Sequence, residues 1–384
     1  MILLRGARQL LTLRGPSGVR RGAALHDLGI IEDGSVLIRD GVIAAVGSTR
    51  RIENLKEARD ALEIPVNGRL VMPGFVDASL SLSLENVNDP AKRRKVADFY
   101  DDSLALLRSC LQHGTVAAEV KATADSGDYH SDISVLRKLA HIGSNPVRMV
   151  RTWRIKKSSA GVPPGDLRKT FSLLARRKLI QFIEVSAESE QWLDEEILAA
   201  AEEANIGIKL LWYGGSAEEL GTVIERVQPR TICCFCHMSR EESAVLSASQ
   251  VLSVFATGKE VFEGPAGMSA RQLADDGGAL ALSSGYDSAS AASFSMQMSL
   301  SLAVVRLGLT VEQAFIAATI NAAHAAGCGD IIGSLEAGKQ ADVLVMNVPD
   351  YREVPRQFGI NHVEMAIRQG SVVYNRTRWR PSSN

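Results

Sequence analysis

The one cluster of cysteine and histidine in this sequence is the run Cys233-Cys234-Phe235-Cys236-His237. Thiolate and imidazole groups can act as nucleophiles or bind a metal ion. On a strand, Cys234 and Cys236 would share one face, with Cys233, Phe235 and His237 on the other. The run lacks the paired CxxC spacing of a four-ligand zinc site, and a free cysteine commonly serves as a small buried hydrophobe. We favour a structural role, with a thiol nucleophile or an adventitious metal site as the alternative; His237 is the histidine best placed for chemistry.

A second set of charged residues follows apolar segments. Glu119 and Lys121 alternate with Val120, which would place both side chains on one face of a strand. We favour an internal ion pair, and catalysis by Lys121 is the alternative. The basic run 156–159, which contains Lys157, could bind an anion, although a solvated loop is the favoured interpretation. The sequence contains no GxGxxG, P-loop or GxSxG motif, so it gives no sign of a dinucleotide site or of that type of serine nucleophile.

The composition narrows the class of protein. The chain has 384 residues, of which 46% are hydrophobic, enough to bury a large core. A net charge of −1 gives no electrostatic footprint for nucleic acid or for an anionic membrane. The five cysteines are irregularly spaced, which indicates reduced thiols and predicts a cytoplasmic protein. We expect no secretory signal, because arginines interrupt the apolar pattern of residues 1–22, and no membrane span, because no run reaches ~18 apolar residues.

The order of the predicted elements indicates a barrel. From Leu70 onwards, short apolar β runs alternate with amphipathic helices, which is typical of a parallel sheet covered by helices. About 260 residues of this pattern fit one (β/α)8 barrel. The strand predictions are Val71–Val76, Ala117–Val120, Val147–Thr152, Ile180–Val185, Ile208–Trp212 and Thr231–Phe235. The helix predictions are Phe99–His113, Ser131–His141, Leu193–Ala204 and Ser216–Val227.

Strands are predicted at both ends of the chain. Residues 34–47 read as a hairpin that turns at Asp40-Gly41, and Gln369-Gly370 is the predicted turn of another hairpin near the C-terminus. Strands that flank a barrel on both sides predict one small β-sandwich built from residues 1–68 and 333–384, with the barrel over residues 69–332. The predicted fold class is therefore α/β: a TIM-type (β/α)8 barrel with a discontinuous β-sandwich.

Several motifs resemble those of one enzyme family. Residues 68–84 read GRLVMPGFVDASLSLSL, and residues 319–325 and 333–342 read TINAAHA and GSLEAGKQAD. Residues 348–352 and 358–363 read VPDYR and FGINHV. Over nearly its whole length the chain resembles the imidazolonepropionases, amidohydrolases that open a five-membered cyclic amide with the help of a bound zinc or iron ion. The resemblance implies the barrel fold and, for the family, hydrolysis of a non-peptide C–N bond.

The resemblance also implies where the family's metal ligands would lie. Two histidines follow PGFVD in the family, a third lies in IKxHADE, a fourth lies on the sixth strand, and an aspartate lies in TDFNPG. The corresponding positions of this chain are Ser79, Ser81, Leu211, Phe235 and Gly285. We expect Trp212 and Phe235 to add bulk near the barrel mouth. Tyr213 replaces a polar residue of the family, and Lys157 lies near a family histidine that touches substrate, so both are candidate ligand-binding residues.

These substitutions predict the loss of the metal site. A catalytic zinc needs about three protein ligands and an open position for water. The first hypothesis is a degenerate, non-catalytic homologue without a cofactor, which binds a small molecule or a partner. The second is a hydrolase of cyclic amides or other C–N bonds with a rebuilt, metal-independent site of Asp287, His237 and Lys121. A third hypothesis is a structural subunit that pairs with an active paralogue, and we expect either this pairing or a homodimer. Asp287 lies two positions after the lost aspartate; a solvated loop or a helix N-cap is its alternative role.

Overall fold

The computed structural model describes residues 1–83, 96–123, 129–142, 146–155, 164–187, 193–234, 238–258, 269–287 and 293–377. Its strands are β1 (Ile2–Leu11), β2 (Ile30–Arg39), β3 (Val42–Ser48), β4 (Leu62–Pro65), β5 (Leu70–Pro73), β6 (Phe75–Ser83), β7 (Thr115–Thr123), β8 (Arg148–Ile155), β9 (Phe182–Ala187), β10 (Gly207–Trp212), β11 (Thr231–Cys234), β12 (Leu252–Ala256), β13 (Ala279–Ser283), β14 (Val343–Met346), β15 (Val363–Arg368) and β16 (Ser371–Asn375). Its α-helices are α1 (Thr49–Glu53), α2 (Val96–Gln112), α3 (Tyr129–Ala140), α4 (Pro164–Arg176), α5 (Glu195–Glu203), α6 (Ala217–Val227), α7 (Arg240–Ala248), α8 (Ser269–Asp275), α9 (Met296–Val305), α10 (Val311–Ala318), α11 (Ile320–Ala325) and α12 (Glu353–Arg356). None of the helices within these ranges is long and apolar enough to cross a membrane.

Both ends of the chain contribute to one sheet. Its strand order is β16-β15-β14-β5-β1-β2-β3, and β4 also pairs with β1. The first half of β1 pairs with β4 and its second half with β5, so the sheet branches at this long strand. The predicted β-sandwich is therefore a single branched, hydrogen-bonded sheet, whose apolar side forms its own small core.

The two predicted hairpins of this sheet are confirmed. Asp40 and Gly41 connect β2 to β3 with φ angles of 51° and 83°. Gln369 and Gly370 connect β15 to β16 with φ angles of 49° and 72°. Two consecutive residues with positive φ are the signature of the tight turns that match the right-handed twist of paired strands. Local sequence alone therefore specifies both turns.

The boundary between the two sheets lies inside a segment that the sequence predicts as one strand. Val71–Val76 was expected to be the first barrel strand, and this prediction is wrong, because β5 pairs with β1 and β14 in the terminal sheet and β6 alone enters the barrel. Gly74 separates the two strands. A Cβ atom at Gly74 would lie 2.3 Å from the Val116 side chain, so the chain can turn here only where a side chain is absent.

The second sheet is the barrel. Its strands run in the order β13-β12-β11-β10-β9-β8-β7-β6 and neighbouring strands are parallel. The sheet closes between β6 and the end of β13: the Ser81 backbone N–H donates to the Tyr286 carbonyl at 2.7 Å, and the Ser283 hydroxyl donates to the Ser79 carbonyl at 3.1 Å. Helices follow the strands, and the predicted TIM-type barrel fold is confirmed.

Alternation along each strand separates the two faces of the barrel. Outward-facing residues are apolar and pack against the helices. Two tryptophans among them also form hydrogen bonds with helix residues. The indole N–H of Trp153 donates to Asp132 of α3 at 2.8 Å, and that of Trp212 donates to Glu242 of α7 at 2.8 Å. Trp212 is fully buried between strand and helix, so the expectation that it adds bulk near the mouth is wrong. The side chains that can do chemistry are those on the inward face.

Candidate functional site at the barrel mouth

The four described positions that correspond to family metal ligands lie on barrel strands or directly after one. Ser79 and Ser81 belong to β6 and are 3% and 4% exposed. Leu211 lies on β10 and packs in the interior cluster with Cys233. Gly285 follows β13 with a φ of +65°, and a Cβ atom there would lie 3.0 Å from the Ala256 side chain. The fifth position, Phe235, lies outside the described residues.

A network of five charged residues fills the interior below these positions. Lys121 lies 3.0 Å from one oxygen of Glu119 and forms a second ion pair with Glu184. Lys209 pairs with the other oxygen of Glu119 and donates to the Ala325 carbonyl at 2.7 Å. Arg154 pairs with Glu184 through Nε at 2.5 Å. These ion pairs connect strands β7, β8, β9 and β10 across the barrel. The predicted internal pair of Glu119 and Lys121 is present, and it is part of a larger network.

The network sets the protonation states of its members. Burial would raise the pKa of the Glu184 carboxyl, but the charges of Arg154 and Lys121 outweigh it and lower the pKa to about 2. Burial would lower the pKa of Lys121, but Glu119 and Glu184 outweigh it and raise the pKa. Burial lowers the pKa of Lys209 to about 8 against the opposing pull of Glu119. Lys121 is therefore charged at neutral pH, which does not suit it to act as a general base.

Arg154 connects this network to the mouth. Its Nη1 donates to the Ser81 hydroxyl at 3.1 Å, so a guanidinium hydrogen-bonds the position that corresponds to a family histidine. Its side chain is 8% exposed. Its Nη2 is buried and finds no hydrogen-bond acceptor among the residues that the structure describes. Nε and Nη1 are both hydrogen-bonded, so Nη2 is the one nitrogen of this guanidinium that has no acceptor among the described residues.

Asp287 and Tyr213 lie at the rim. Ser81 stands between Lys121 and Asp287 in the strand register, because it pairs with Lys121 on one side and forms a bridge with Asp287 on the other. The Asp287 carboxylate acts electrostatically on Arg154. Tyr213 is 48% exposed, burial raises its pKa, and its hydroxyl is hydrogen-bonded to the side chain of Ser186. The structure thus places Lys121 and Asp287 on either side of β6, with Ser81 between them. Their catalytic roles, and the ligand-binding role of Tyr213, stay predictions.

The donor atoms at these positions do not fit a zinc or iron ion. Ser81 accepts a hydrogen bond from a cation, Leu211 carries no donor atom, and Gly285 carries no side chain. Within the described ranges there is no group of three or more His, Cys, Asp or Glu residues that could hold a metal ion. A catalytic zinc takes nitrogen, sulfur or carboxylate ligands. His237, Lys157 and Cys236 lie outside the described residues.

Three members of the network did not emerge from the sequence as candidates: Arg154, Glu184 and Lys209. A signal was present for two of them, because Glu184 and Lys209 are each the single charge of their strand, whereas Arg154 shares β8 with Arg148 and Arg151. Glu184 lies in β9 and its Cα register partners are Arg154 on one side and Lys209 on the other. A lone charge at an inward-facing strand position therefore marks a residue that needs a partner on another strand.

Known proteins share the family and the fold of this chain. The profile of the Amidohydrolase family matches residues 182–373. The imidazolonepropionase of Geobacillus kaustophilus is 29% identical over 97% of this chain and 98% of its own length. That of Alkaliphilus metalliredigens is 27% identical over 98% of this chain and 99% of its own length.

Solved structures share the fold. The atrazine chlorohydrolase TrzN from Arthrobacter aurescens, complexed with zinc, superimposes with a TM-score of 0.74 at 16% identity and covers 100% of this chain and 97% of its own. The guanine deaminase of E. coli superimposes with a TM-score of 0.67 at 17% identity and covers 97% of this chain and 99% of its own. The profile match spans half of the chain, and the curated relatives extend the similarity to its whole length. The chain therefore belongs to the amidohydrolase family, as an imidazolonepropionase-like member.

Proposed function

We propose that this protein binds a small polar molecule at its barrel mouth and does not hydrolyse it through a bound metal ion. The observation that carries the proposal is the hydrogen bond from Arg154 to Ser81. Ser81 takes the place of a histidine that holds the metal in the family that the chain resembles. Here a permanently charged guanidinium uses that position instead.

The electrostatics of the site support the same proposal. A divalent cation beside Ser81 would lie close to the positive charge of Arg154, and like charges repel strongly where water is excluded. Metal-dependent hydrolysis relies on a metal-bound water whose pKa falls to about 7. Leu211 would present a methyl group, where the family has a ligand, to such an ion. We therefore propose that no catalytic metal binds among these residues.

The mouth keeps features of a binding site. Ser81 and Arg154 offer hydrogen-bonding groups that a small molecule could meet, and Tyr213 stands half exposed at the rim. Binding sites commonly combine apolar walls with a few placed polar groups. The homodimer, or the complex with an active paralogue, stays a prediction, and light scattering of the purified protein tests it.

The test compares this protein with the Geobacillus kaustophilus imidazolonepropionase. Both are expressed with added zinc and iron, purified without chelator, and measured for metal content and for hydrolysis of imidazolonepropionate. We expect metal and turnover in the Geobacillus protein, and neither stoichiometric metal nor turnover in this one. About one zinc or iron per chain, together with turnover that a chelator abolishes and added metal restores, would refute the proposal.

A further inference from the structure

Arg154 Nη2 is buried and has no hydrogen-bond acceptor within the ranges that the structure describes. Hydrogen-bond donors that are buried without a partner are rare in native proteins, because each loses its hydration without compensation. The loss is larger for a charged group. The other nitrogens of this guanidinium are used, since Nε pairs with Glu184 and Nη1 donates to Ser81. One donor of a buried, rigidly held cation therefore remains available at the upper edge of the network.

The five charges of the network do not balance, and the excess positive charge lies at Arg154. Three cations, Lys121, Lys209 and Arg154, face two carboxylates, Glu119 and Glu184. Lys121 lies between both carboxylates, and Lys209 is held by Glu119 and a backbone carbonyl. Arg154 shares Glu184 with Lys121 and is nearest to the mouth through Ser81. Within these five residues there is thus one positive charge more than the two carboxylates neutralise, and the Asp287 carboxylate acts on Arg154 from the mouth.

The surroundings of Arg154 suit a weakly charged anion. The hydroxyl of Ser81 accepts from Arg154, so its own hydrogen is free in direction to meet a ligand oxygen. The carboxylates of Glu184 and Asp287 both act on Arg154, and they would repel a ligand of high negative charge. A single carboxylate matches the planar donors of a guanidinium better than a doubly charged phosphate does in this setting.

We propose that the barrel mouth binds the carboxylate group of a small molecule, with Arg154 Nη2 and the Ser81 hydroxyl as its donors. This inference rests on the proposed function, because it takes the mouth as a binding site in which no metal competes for the ligand. The ligand supplies the acceptor that the network lacks. The guanidinium thereby takes over, by charge and hydrogen bonds, the anchoring that a metal ion gives in related barrels.

The experiment measures binding of four probes to metal-depleted protein at low ionic strength. The probes are acetate and benzoate, the neutral amide benzamide as the matched control for benzoate, and inorganic phosphate. Binding is followed by NMR chemical-shift titration of the protein. We expect benzoate to bind at least ten times more tightly than benzamide, and phosphate to bind more weakly than benzoate.

Variants assign the site. Arg154→Met should weaken benzoate binding about 10-fold to 100-fold, since one charge-assisted hydrogen bond is lost. Arg154→Lys keeps the charge but not the planar fork, and should weaken binding less. Asp287→Asn removes a repelling charge and should tighten binding several-fold, a gain that a damaged fold cannot produce. Arg168→Met is the matched control: Arg168 is 58% exposed and pairs with Glu203 on the surface, so its loss should leave binding unchanged.

Each outcome decides the proposal. Absence of benzoate binding at 100 mM, equal binding of benzamide, or unchanged affinity in both Arg154 variants would overturn it. Should Arg154→Met fail to fold, the opposite effects of Arg154→Lys and Asp287→Asn still decide the case. Carboxylate binding that requires added zinc and persists in Arg154→Lys would overturn this inference and the proposed function together. Metal-free protein that neither binds carboxylates nor turns over would overturn this inference alone.

Discussion

Replacing Glu184 with glutamine tests whether the ion network is what holds the barrel interior together. The substitution keeps the size and shape of the side chain and removes its charge. Glu184 is the partner of Arg154 and of Lys121, and all three side chains are at least nine-tenths buried. Without it, Arg154 loses this ion pair and Lys121 keeps only its ion pair with Glu119. The variant therefore leaves buried positive charge without compensation.

The expected size of the effect follows from two independent arguments. The pKa of the Glu184 carboxyl falls from 4.5 to about 2 in the folded protein, and at 1.36 kcal/mol per pKa unit this difference corresponds to about 3 kcal/mol. Breaking a buried ion pair by removing one partner typically costs about 3–5 kcal/mol. We therefore expect Glu184→Gln to lower the free energy of unfolding by about 3 kcal/mol.

The effect of Glu184→Gln on the free energy of unfolding should depend on pH in a defined direction. The folded-state pKa of Glu184 is depressed, so its contribution is fully present above pH 4.5 and is lost as the pH falls through about 2. The difference in unfolding free energy between wild type and variant should therefore shrink from about 3 kcal/mol at pH 7 towards zero near pH 2. Taking the difference between the two proteins cancels the titration of all other groups.

The assay is equilibrium urea denaturation followed by tryptophan fluorescence, which reports on the buried Trp153 and Trp212. Glu203→Gln is the matched control, because Glu203 is 55% exposed and its pair with Arg168 lies on the surface. Such exposed pairs contribute about 0–1 kcal/mol. A loss below 1 kcal/mol for Glu184→Gln, or a difference from wild type that does not shrink in acid, would refute the reasoning.

Three further predictions concern the frame of the site. Gly74→Ala should destabilise the protein by about 1–3 kcal/mol in urea denaturation, because its new methyl group would overlap Val116. Gly221→Ala in helix α6 is the control and should be neutral or stabilising, because its Cβ would meet nothing nearer than 4.0 Å. Equal effects of the two substitutions would contradict this prediction. Burial raises the pKa of Asp77 to about 6, so the stability that comes with its protonated carboxyl group is fully present below pH 3.8 and is lost as the pH rises through 6. The stability of Asp77→Asn relative to wild type should therefore rise by up to about 3 kcal/mol between pH 4 and 7, and a constant difference across that range would count against the cause assigned. A chain that ends at Ile332 lacks β14 and so exposes the edge of β5; we expect it to aggregate, and soluble, cooperatively unfolding protein would contradict the shared sheet.

Much of the fold could be predicted from local sequence. The turns at Asp40-Gly41 and Gln369-Gly370 need positive φ, which these residue pairs supply, and the hairpins form where expected. The alternation of apolar strands with amphipathic helices predicted the barrel, since its physical basis is the burial of one side of each element. The exception is the segment Val71–Val76, where the apolar pattern continues across two strands. Only the close approach of Gly74 to Val116 divides them.

The candidate site was predictable in part. The serines at 79 and 81, Leu211 and Gly285 could be identified as replacements for metal ligands by comparing motifs along the chain, because a ligand is a property of a single position. The same comparison could not identify the charged residue that lies beside these positions. Only the tertiary structure identifies Arg154, because its partner Glu184 lies on the adjacent strand β9 and its partner Ser81 lies on β6, two strands away.

The sequence by itself determined the elements, their order, and the residue type at each inward position of the barrel. The tertiary structure decided which of those residues meet. The ion pairs join residues 63 positions apart, as for Lys121 and Glu184, and 90 apart, as for Lys209 and Glu119. The alternation of residues along a strand fixes the face on which a side chain lies. Strand register and the stagger of a closed barrel fix the position of that side chain along the barrel axis. Two buried charges interact strongly only when they share the same face and the same position along the axis.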